Sequence, residues 1–390
     1  MPTGTRNTGD ISARKYDMQD TISLLDAKRY PLLAILSNAG KDPASGKGKA
    51  FKKVTVSDPE FKWFEDTFGS REATVAAVQT IDPDAGGETF DVTAGQGARF
   101  AVGDTIHIVD QKWTFQVTAV STDTITISAE IGGATGGATD ISADTVWIVG
   151  NANAEGAGIR EIKGTTPTEK VGYTQIFRTP FGITNTSKAT KGLIKENDLD
   201  YQRRKKAIEH AVDIERAFFF SKKYKVTSGS DITRNSMGIV DEITTYATAS
   251  VDTEAEFETW LESVFAHGGT EKYLYASSSV ISLINGFASG KLQTVRADQT
   301  YGVTILKYVS AHGTLNIIKH DLLTGSVYGN YGIALDMEAV EYATLEGRDT
   351  KLLTDRQPAG YDGVVEEYLS EVGLKFSEET RHAVMSTSTL

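Results

Sequence analysis

Asn197 to Lys223 reads NDLDYQRRKKAIEHAVDIERAFFFSKK. Within it Ala207, Ala211, Ile214 and Phe218 recur at i, i+4, i+7 and i+11, and Ile208, Val212 and Phe219 lie beside them. This spacing places the apolar side chains along one stripe of a helix. Asn197 or Asp198 supplies an N-cap oxygen. At 1.5 Å per residue the segment would run about 40 Å. It is the strongest helical signal in the chain, and it separates two regions of different character.

Downstream, the pattern alternates between helix and strand. Thr253-x-x-Glu256 is a capping box, in which each side chain satisfies a backbone N–H of the other. It opens a helix whose face is Phe257, Trp260, Leu261, Val264 and Phe265. A strand over 272–276, a short helix over 278–287, and strands near 303–309, 314–320 and 333–337 follow. The tail reads as two β-rich segments, 364–376 and 381–386.

Upstream, residues 1–16 are polar and read as a flexible arm. Residues 17–38 read as two short helices divided by Pro31, and 39–53 as a Gly/Lys loop. Phe61–Thr67 (FKWFEDT) and Tyr173–Thr179 (YTQIFRT) are aromatic-rich strands of matching character, which often pair across an insertion. Between them, 104–110, 113–120, 124–128 and 145–149 are short β-rich runs punctuated by glycine pairs. They predict a small barrel or sandwich over 78–150, with Trp113, Phe115, Val117, Ile125, Ile127 and Trp147 as its own core and with ends close together.

Charge divides the chain in the same way. The 390 residues carry a net charge of −12. Residues 1–53 hold ten Lys/Arg and five Asp/Glu, whereas 78–150 hold two and ten. A protein built to grip nucleic acid usually presents a basic field; this one repels phosphate overall. There are no cysteines, which excludes disulfides, thiolate nucleophiles and cysteine-ligated metals. No apolar run reaches the roughly 18 residues of a membrane span, and the N-terminal residues predict no secretory leader.

Catalytic patterns are weak throughout. His107, His210, His267, His312, His320 and His382 fall in no short metal-ligand spacing, and are expected to be structural or surface residues. Gly40–Gly48 (GKDPASGKG) is one residue too long for a phosphate loop, and Gly48 stands where Ser or Thr would bind magnesium. Asp82-Pro-Asp84 begins like a calcium loop, but position 12 is Thr93 rather than Glu; a turn is the better reading. No GxSxG elbow is present. The chain is expected to be no enzyme and to need no cofactor. Arg203-Arg204-Lys205-Lys206 points around the whole helix cylinder and reads first as a solvated turn, second as a contact for acidic neighbours or nucleic acid.

The ordered combination of these words resembles one family. DMQDTISLLDAKRYPLLAILSNAG (17–40), FKWFEDT (61–67), GNANAEG (150–156), YTQIFRTPF (173–181) and EHAVDIERAFF (209–219) are similar to the SU10-type major head proteins of tailed bacteriophages, a branch of the HK97-like capsid fold. The resemblance is carried by words over about 17–70 and 150–225, and by topology over 230–390.

The resemblance implies an α+β fold with an N-terminal arm and short helices over 1–53. It implies an extended E-loop hairpin over 54–77 and 151–190, with the β domain of 78–150 inserted at its tip. It further implies a P domain over 191–232 and 346–390, and an A domain over 233–345. It implies self-assembly into hexamers and pentamers of an icosahedral shell around double-stranded DNA, with portal and decoration proteins as further partners, in virions assembled in the host cytoplasm. No scaffolding domain is expected ahead of the short arm. Trp63, Phe64, Tyr173, Phe177, Arg178 and Phe181 become the candidate subunit-interface residues, since a lone hairpin is marginal in water and aromatics tend to be hot spots. Two rivals remain: a phage tail-tube or decoration subunit, against which the long helix argues, and a hydrolase with a β accessory module.

Overall fold

A computed structural model describes residues 30–37, 53–133, 136–153, 155–156, 158–190, 198–229, 231–287 and 305–388. The apolar stripe forms the 23-residue helix Asp198–Phe220, about 35 Å long. It ends three residues sooner than its spacing suggests. Ser221 still donates to the Ala217 carbonyl, and then the chain leaves for the hairpin of Tyr224–Ser228 and Asp231–Asn235. Asn197 lies outside the described residues. So do the arm, the first of the two N-terminal helices and the Gly40–Gly48 loop. Pro31 stands at the first position of the helix Pro31–Ser37, as its missing N–H allows.

The chain forms two compact units. One comprises the residues up to Trp63 with Lys170 onward, the other Phe64–Glu169. In the first, a sheet runs in the order Lys53–Val56, Val340–Leu345, Gly363–Phe376, Gln175–Thr184. The last two strands are paired over ten residues, from Gln175↔Val372 to Thr184↔Gly363. The long helix packs on them. Along Gln175–Thr184 burial alternates, with Phe177, Phe181 and Ile183 inward and Ile176, Arg178 and Pro180 outward, as the two-residue period of a strand requires. Ile214, Phe218 and Phe219 fill the core with Leu32, Leu36, Tyr342, Val372 and Leu374. Each such side chain contributes about 1.5–3 kcal/mol on burial.

A second, six-stranded sheet follows the order Ala247–Thr248, Ala383–Ser386, Tyr331–Leu335, Glu271–Ala276, Thr314–Lys319, Ile305–Val309. The helix Glu254–Phe265 starts at the expected Thr253/Glu256 capping box and buries Phe257, Trp260, Leu261 and Val264 in one cluster with Leu274 and Ile317 of this sheet. The two tail strands part company. Gly363–Phe376 stays in the first sheet, while Ala383–Ser386 pairs antiparallel with Tyr331–Leu335 in the second. The crossing is made at Glu378, whose φ of 52° is left-handed, followed by a single 3₁₀ turn. Val340–Leu345 also belongs to the first sheet, with Gly363–Phe376.

The unit Phe64–Glu169 is a small barrel. Its sheet runs Glu72–Thr74, Thr145–Asn151, Asp104–Ile108, Trp113–Ser121, Thr124–Ile127, Thr89–Asp91. An antiparallel bridge between Val75 and Val92 returns the last strand to the first, with Ala76 donating to the Asp91 carbonyl at 2.9 Å and Thr93 to that of Thr74 at 2.8 Å. Closure removes the edges that an open sheet would expose. Phe90, Phe100, Ile106, Ile108, Phe115, Val117, Ile125, Ile127 and Val146 form its core. Trp147, expected inside, is 44% exposed: along Thr145–Asn151 it is Val146 that points in. Asp82-Pro-Asp84 is a turn in which the Asp82 carboxylate accepts the Asp84 N–H at 3.1 Å.

Candidate functional site

The six candidate interface residues fall into different environments. Glu60–Glu65 pairs with Thr168–Tyr173, not with the whole of 173–179. At Thr174, whose N–H bonds the Pro59 carbonyl at 2.9 Å, the chain leaves this ribbon and enters the long ladder with Gly363–Phe376. The second aromatic word is thus split between two sheets, because a ten-residue ladder beneath a helix buries more than a lone ribbon does.

Phe177 and Phe181 are each 8% exposed and are interior residues, a correction to their expected place on an exposed hairpin. Phe181 stacks on Tyr368 at 5.8 Å, and Phe177 meets the His210 ring edge-on at 6.4 Å. Trp63 is half-buried against the main core and stacks on Phe61. Gly172 opposite them is required for that packing, since a Cβ there would stand 2.5 Å from the Phe61 ring. Tyr173 lies under the Lys225 ammonium at 5.9 Å, and Lys225 also bonds Glu60 at 2.6 Å. Phe64 is 69% exposed. Residues the sequence did not single out behave similarly: Phe68, Ile159 and Ile162 are almost entirely exposed, on segments without regular structure.

Arg178 points outward and grips Glu367 with two nitrogens at 2.8–3.2 Å; the ion pair raises its pKa above the usual guanidinium value. It is one rung of a charged series along Gly363–Phe376. On the helix side Arg203 forks onto Glu366, Nε and Nη2 both at 2.6 Å. Arg348 pairs with Glu371. Glu366, Glu367 and Glu371 are all nearly buried, so each carboxylate depends on its guanidinium for compensation. The basic run on the helix is therefore tied internally: Arg203 to Glu366 and Asp200, and Lys205 and Lys206 to Glu209.

Two buried polar centres were not singled out by motif. His210 bridges Thr179 Oγ1 at 2.8 Å and Ser370 Oγ at 2.6 Å, and burial holds its pKa below the usual imidazole value. Glu215, fully buried, accepts the N–H groups of Leu32 and Leu33 and faces His320 Nε2 at 3.0 Å. The available signal was a carboxylate inside the apolar stripe, four residues after Ala211 and four before Phe219. The Ser370–His210 pair has nucleophile–base proximity, but Ser370 is wholly buried and the second imidazole nitrogen meets a hydroxyl rather than a carboxylate. Among the described residues no three His, Asp or Glu side chains converge as a metal site.

Comparison with known proteins accounts for this combination of buried scaffold and exposed arms. The family model described as SU10 major capsid protein matches residues 1–389. The major capsid protein of Pseudomonas phage PaMx41 is 24% identical over 349 residues, which cover 85% of this chain and 78% of that protein. Among solved structures, one from Microbacterium phage Oxtober96 superposes with a TM-score of 0.51 at 13% identity, over 98% of this chain and 99% of that one. The capsid of an empty GTA particle gives 0.52 at 10% identity over 98% of both chains. These likenesses show the fold, an HK97-like capsid fold of the α+β class. The match along nearly the whole length shows the family: the chain belongs to the SU10 major capsid proteins and is the major capsid protein of a phage.

Proposed function

We propose that copies of this chain join as hexamers and pentamers and close an icosahedral shell around double-stranded DNA in the host cytoplasm, as a building block rather than a catalyst. The observation that carries this reading is the contrast between buried and exposed apolar groups. Among the described residues no phenylalanine or tryptophan of the unit that holds the long helix is exposed, although Tyr224, Tyr328 and Tyr361 are, while Phe64, Phe68, Ile159 and Ile162 of the unit Phe64–Glu169 remain exposed. Exposed aromatic and aliphatic side chains of this size are what a subunit contact would cover, aromatics above all. In this reading the ribbon and its flanks are the E-loop and the barrel is its insertion. The sheet beneath the long helix is the P domain, and the six-stranded sheet with its helices is the A domain. Phe64 is the interface aromatic, and Trp63, Tyr173 and Arg178 remain interface candidates.

The net charge of −12 suits a container, since DNA affinity rises with the number of phosphates that cations neutralise. Portal and decoration proteins are further partners in this reading. Electron microscopy of the purified chain tests it. Closed shells or capsomers are expected; tubes or monomers at all concentrations would overturn it.

A further inference from the structure

The unit Phe64–Glu169 holds sixteen Asp/Glu and five Lys/Arg. Four of those five cations, Arg71, Arg99, Arg160 and Lys163, line one cleft of about 560 Å³. Only two acidic residues share it, Asp104 and Glu161. Asp104 is already compensated, bonding Arg160 Nη2 at 2.5 Å and the Ala101 N–H at 2.6 Å. Lys163 donates to the Ala98 and Phe100 carbonyls, and Arg99 to that of Glu72. Carbonyl oxygens hold these cations in place without cancelling their charge. Arg160 Nε is buried without a partner. Arg71 is exposed, and among the described residues its guanidinium has no partner. Fully exposed Phe68 borders the same cleft. A positive cleft with an apolar rim and an unused guanidinium fork is thus set in an otherwise acidic unit.

We propose that this cleft is the docking site for a carboxylate-bearing segment of a second copy of this chain. The proposal rests on the assembly reading above and adds the chemistry of one contact. Charge complementarity selects the occupant. The unit that carries the cleft is acidic overall, so each copy carries both the socket and an excess of candidate plugs. Socket and plug occupy different places on one chain, which makes the contact heterologous and able to propagate around a ring. A DNA strand fits less well. It brings a charge about every 3.4 Å into a unit with an excess of eleven carboxylates, whereas a single acidic loop brings one or two charges. Guanidinium forks bind carboxylates in two-point geometry.

Two measurements on the full chain test this. In the first, Arg71→Glu is compared with Arg71→Lys and the parent by sedimentation across subunit concentrations. Arg71→Glu is expected to raise the concentration needed for assembly about tenfold, the equivalent of one charge-assisted contact, with the melting temperature unchanged and Arg71→Lys, which keeps the charge but not the fork, falling between the two. Assembly of Arg71→Glu equal to the parent's overturns the proposal and leaves the shell reading intact. So does unchanged assembly with weakened DNA retention, which would mark the cleft as a phosphate site. In the second, Arg71→Lys copies labelled with ¹⁴N and ¹⁵N are mixed and treated with a carbodiimide at high concentration. Mixed-isotope links from position 71 to Asp or Glu are expected; links within one copy only, or none, overturn the proposal even if the parent forms no shells.

Discussion

The carboxylate of Glu215, five residues before the end of the helix Asp198–Phe220, accepts the backbone N–H of Leu32 at 2.8 Å. Its other oxygen takes the Leu33 N–H at 2.6 Å. The helix Pro31–Ser37 opens with a proline, so these are its first two free donors, and Glu215 serves as a cap supplied from elsewhere in the chain. The negative charge also suits the positive end of the helix dipole. His320 completes the site from the turn after the strand Thr314–Lys319. Glu215→Ala is expected to lower stability by about 3–5 kcal/mol, because it leaves buried donors without an acceptor. Glu215→Gln, which keeps one acceptor oxygen, is expected to cost about 1–2 kcal/mol. Denaturant melts of the soluble subunit measure both.

Arg203 and Glu366 give a second stability test. The Glu366 side chain is 3% exposed, so Arg203→Ala strands a buried carboxylate and is expected to cost about 3–5 kcal/mol. Arg203→Lys cannot reproduce the two-point fork and is expected to recover only part of the loss. The double change Arg203→Met with Glu366→Leu is expected to restore most of it, because an apolar pair of similar volume carries no desolvation penalty. A double-mutant cycle by thermal melting would expose the coupling; additive losses would contradict it.

His382 makes the fold sensitive to acid. Burial is the main cause that lowers its pKa to about 3, with Lys272 and Arg381 adding repulsion and the Ser377 carbonyl and Glu379 opposing. Its Nδ1 accepts the Asp336 N–H at 3.2 Å, and its Nε2 lies 3.3 Å from the Ser377 carbonyl, which fits a neutral ring. Above pH 6.5 neither the folded nor the unfolded state protonates this histidine, and its contribution is complete. Between 6.5 and about 3 the unfolded chain takes up a proton that the folded chain refuses. Stability therefore falls as pH falls, by about 1.4 kcal/mol per pH unit from this group. His382→Asn, whose amide oxygen can still accept the Asp336 N–H, is expected to be less stable at neutral pH and to show a shallower acid slope. An unchanged slope would assign the acid sensitivity to other groups.

Phe64 and Phe177 separate assembly from folding. Phe64→Ala removes an exposed side chain and is expected to leave the melting temperature unchanged while raising the subunit concentration needed for assembly. Phe177→Ala empties a buried position between sheet and helix and is expected to cost about 3–5 kcal/mol of stability. Calorimetry beside sedimentation distinguishes the two; a stability loss from Phe64→Ala would mean that its contacts lie within the chain.

Much of the architecture was legible because it rests on local periodicity. The stripe through Ala207, Ala211, Ile214 and Phe218 marked the long helix to within three residues of its end. Thr253 and Glu256 marked the start of another, since a capping box is complete within four residues. The alternation over 104–127 marked three barrel strands. The partners of the strands were less legible. Nothing local in YTQIFRT announces that Tyr173 ends one ribbon while Gln175 begins a ladder with Val372, or that Ala383–Ser386 crosses to a different sheet from Gly363–Phe376.

The six candidate interface residues show where sequence reading stops. An aromatic side chain in a strand buries its area equally well against its own helix or against another subunit, and composition does not distinguish the two. The phase of alternation decides: Phe177 and Phe181 share the inward parity of Gln175–Thr184, and Arg178 has the other. The same parity puts Val146 inside the barrel and leaves Trp147 outside. The sequence by itself determined the family, the long helix, the all-β insertion and its acidic character, because each is written in short-range pattern or in an ordered set of words. Only the tertiary structure decided which carboxylates are buried and which guanidinium compensates each. It also decided that Glu215 caps a helix 183 residues away, and that four cations dispersed from Arg71 to Lys163 face one cleft. Hydrogen bonds and ion pairs act over a few ångströms of space, and that distance is set by chain crossings that no local pattern encodes.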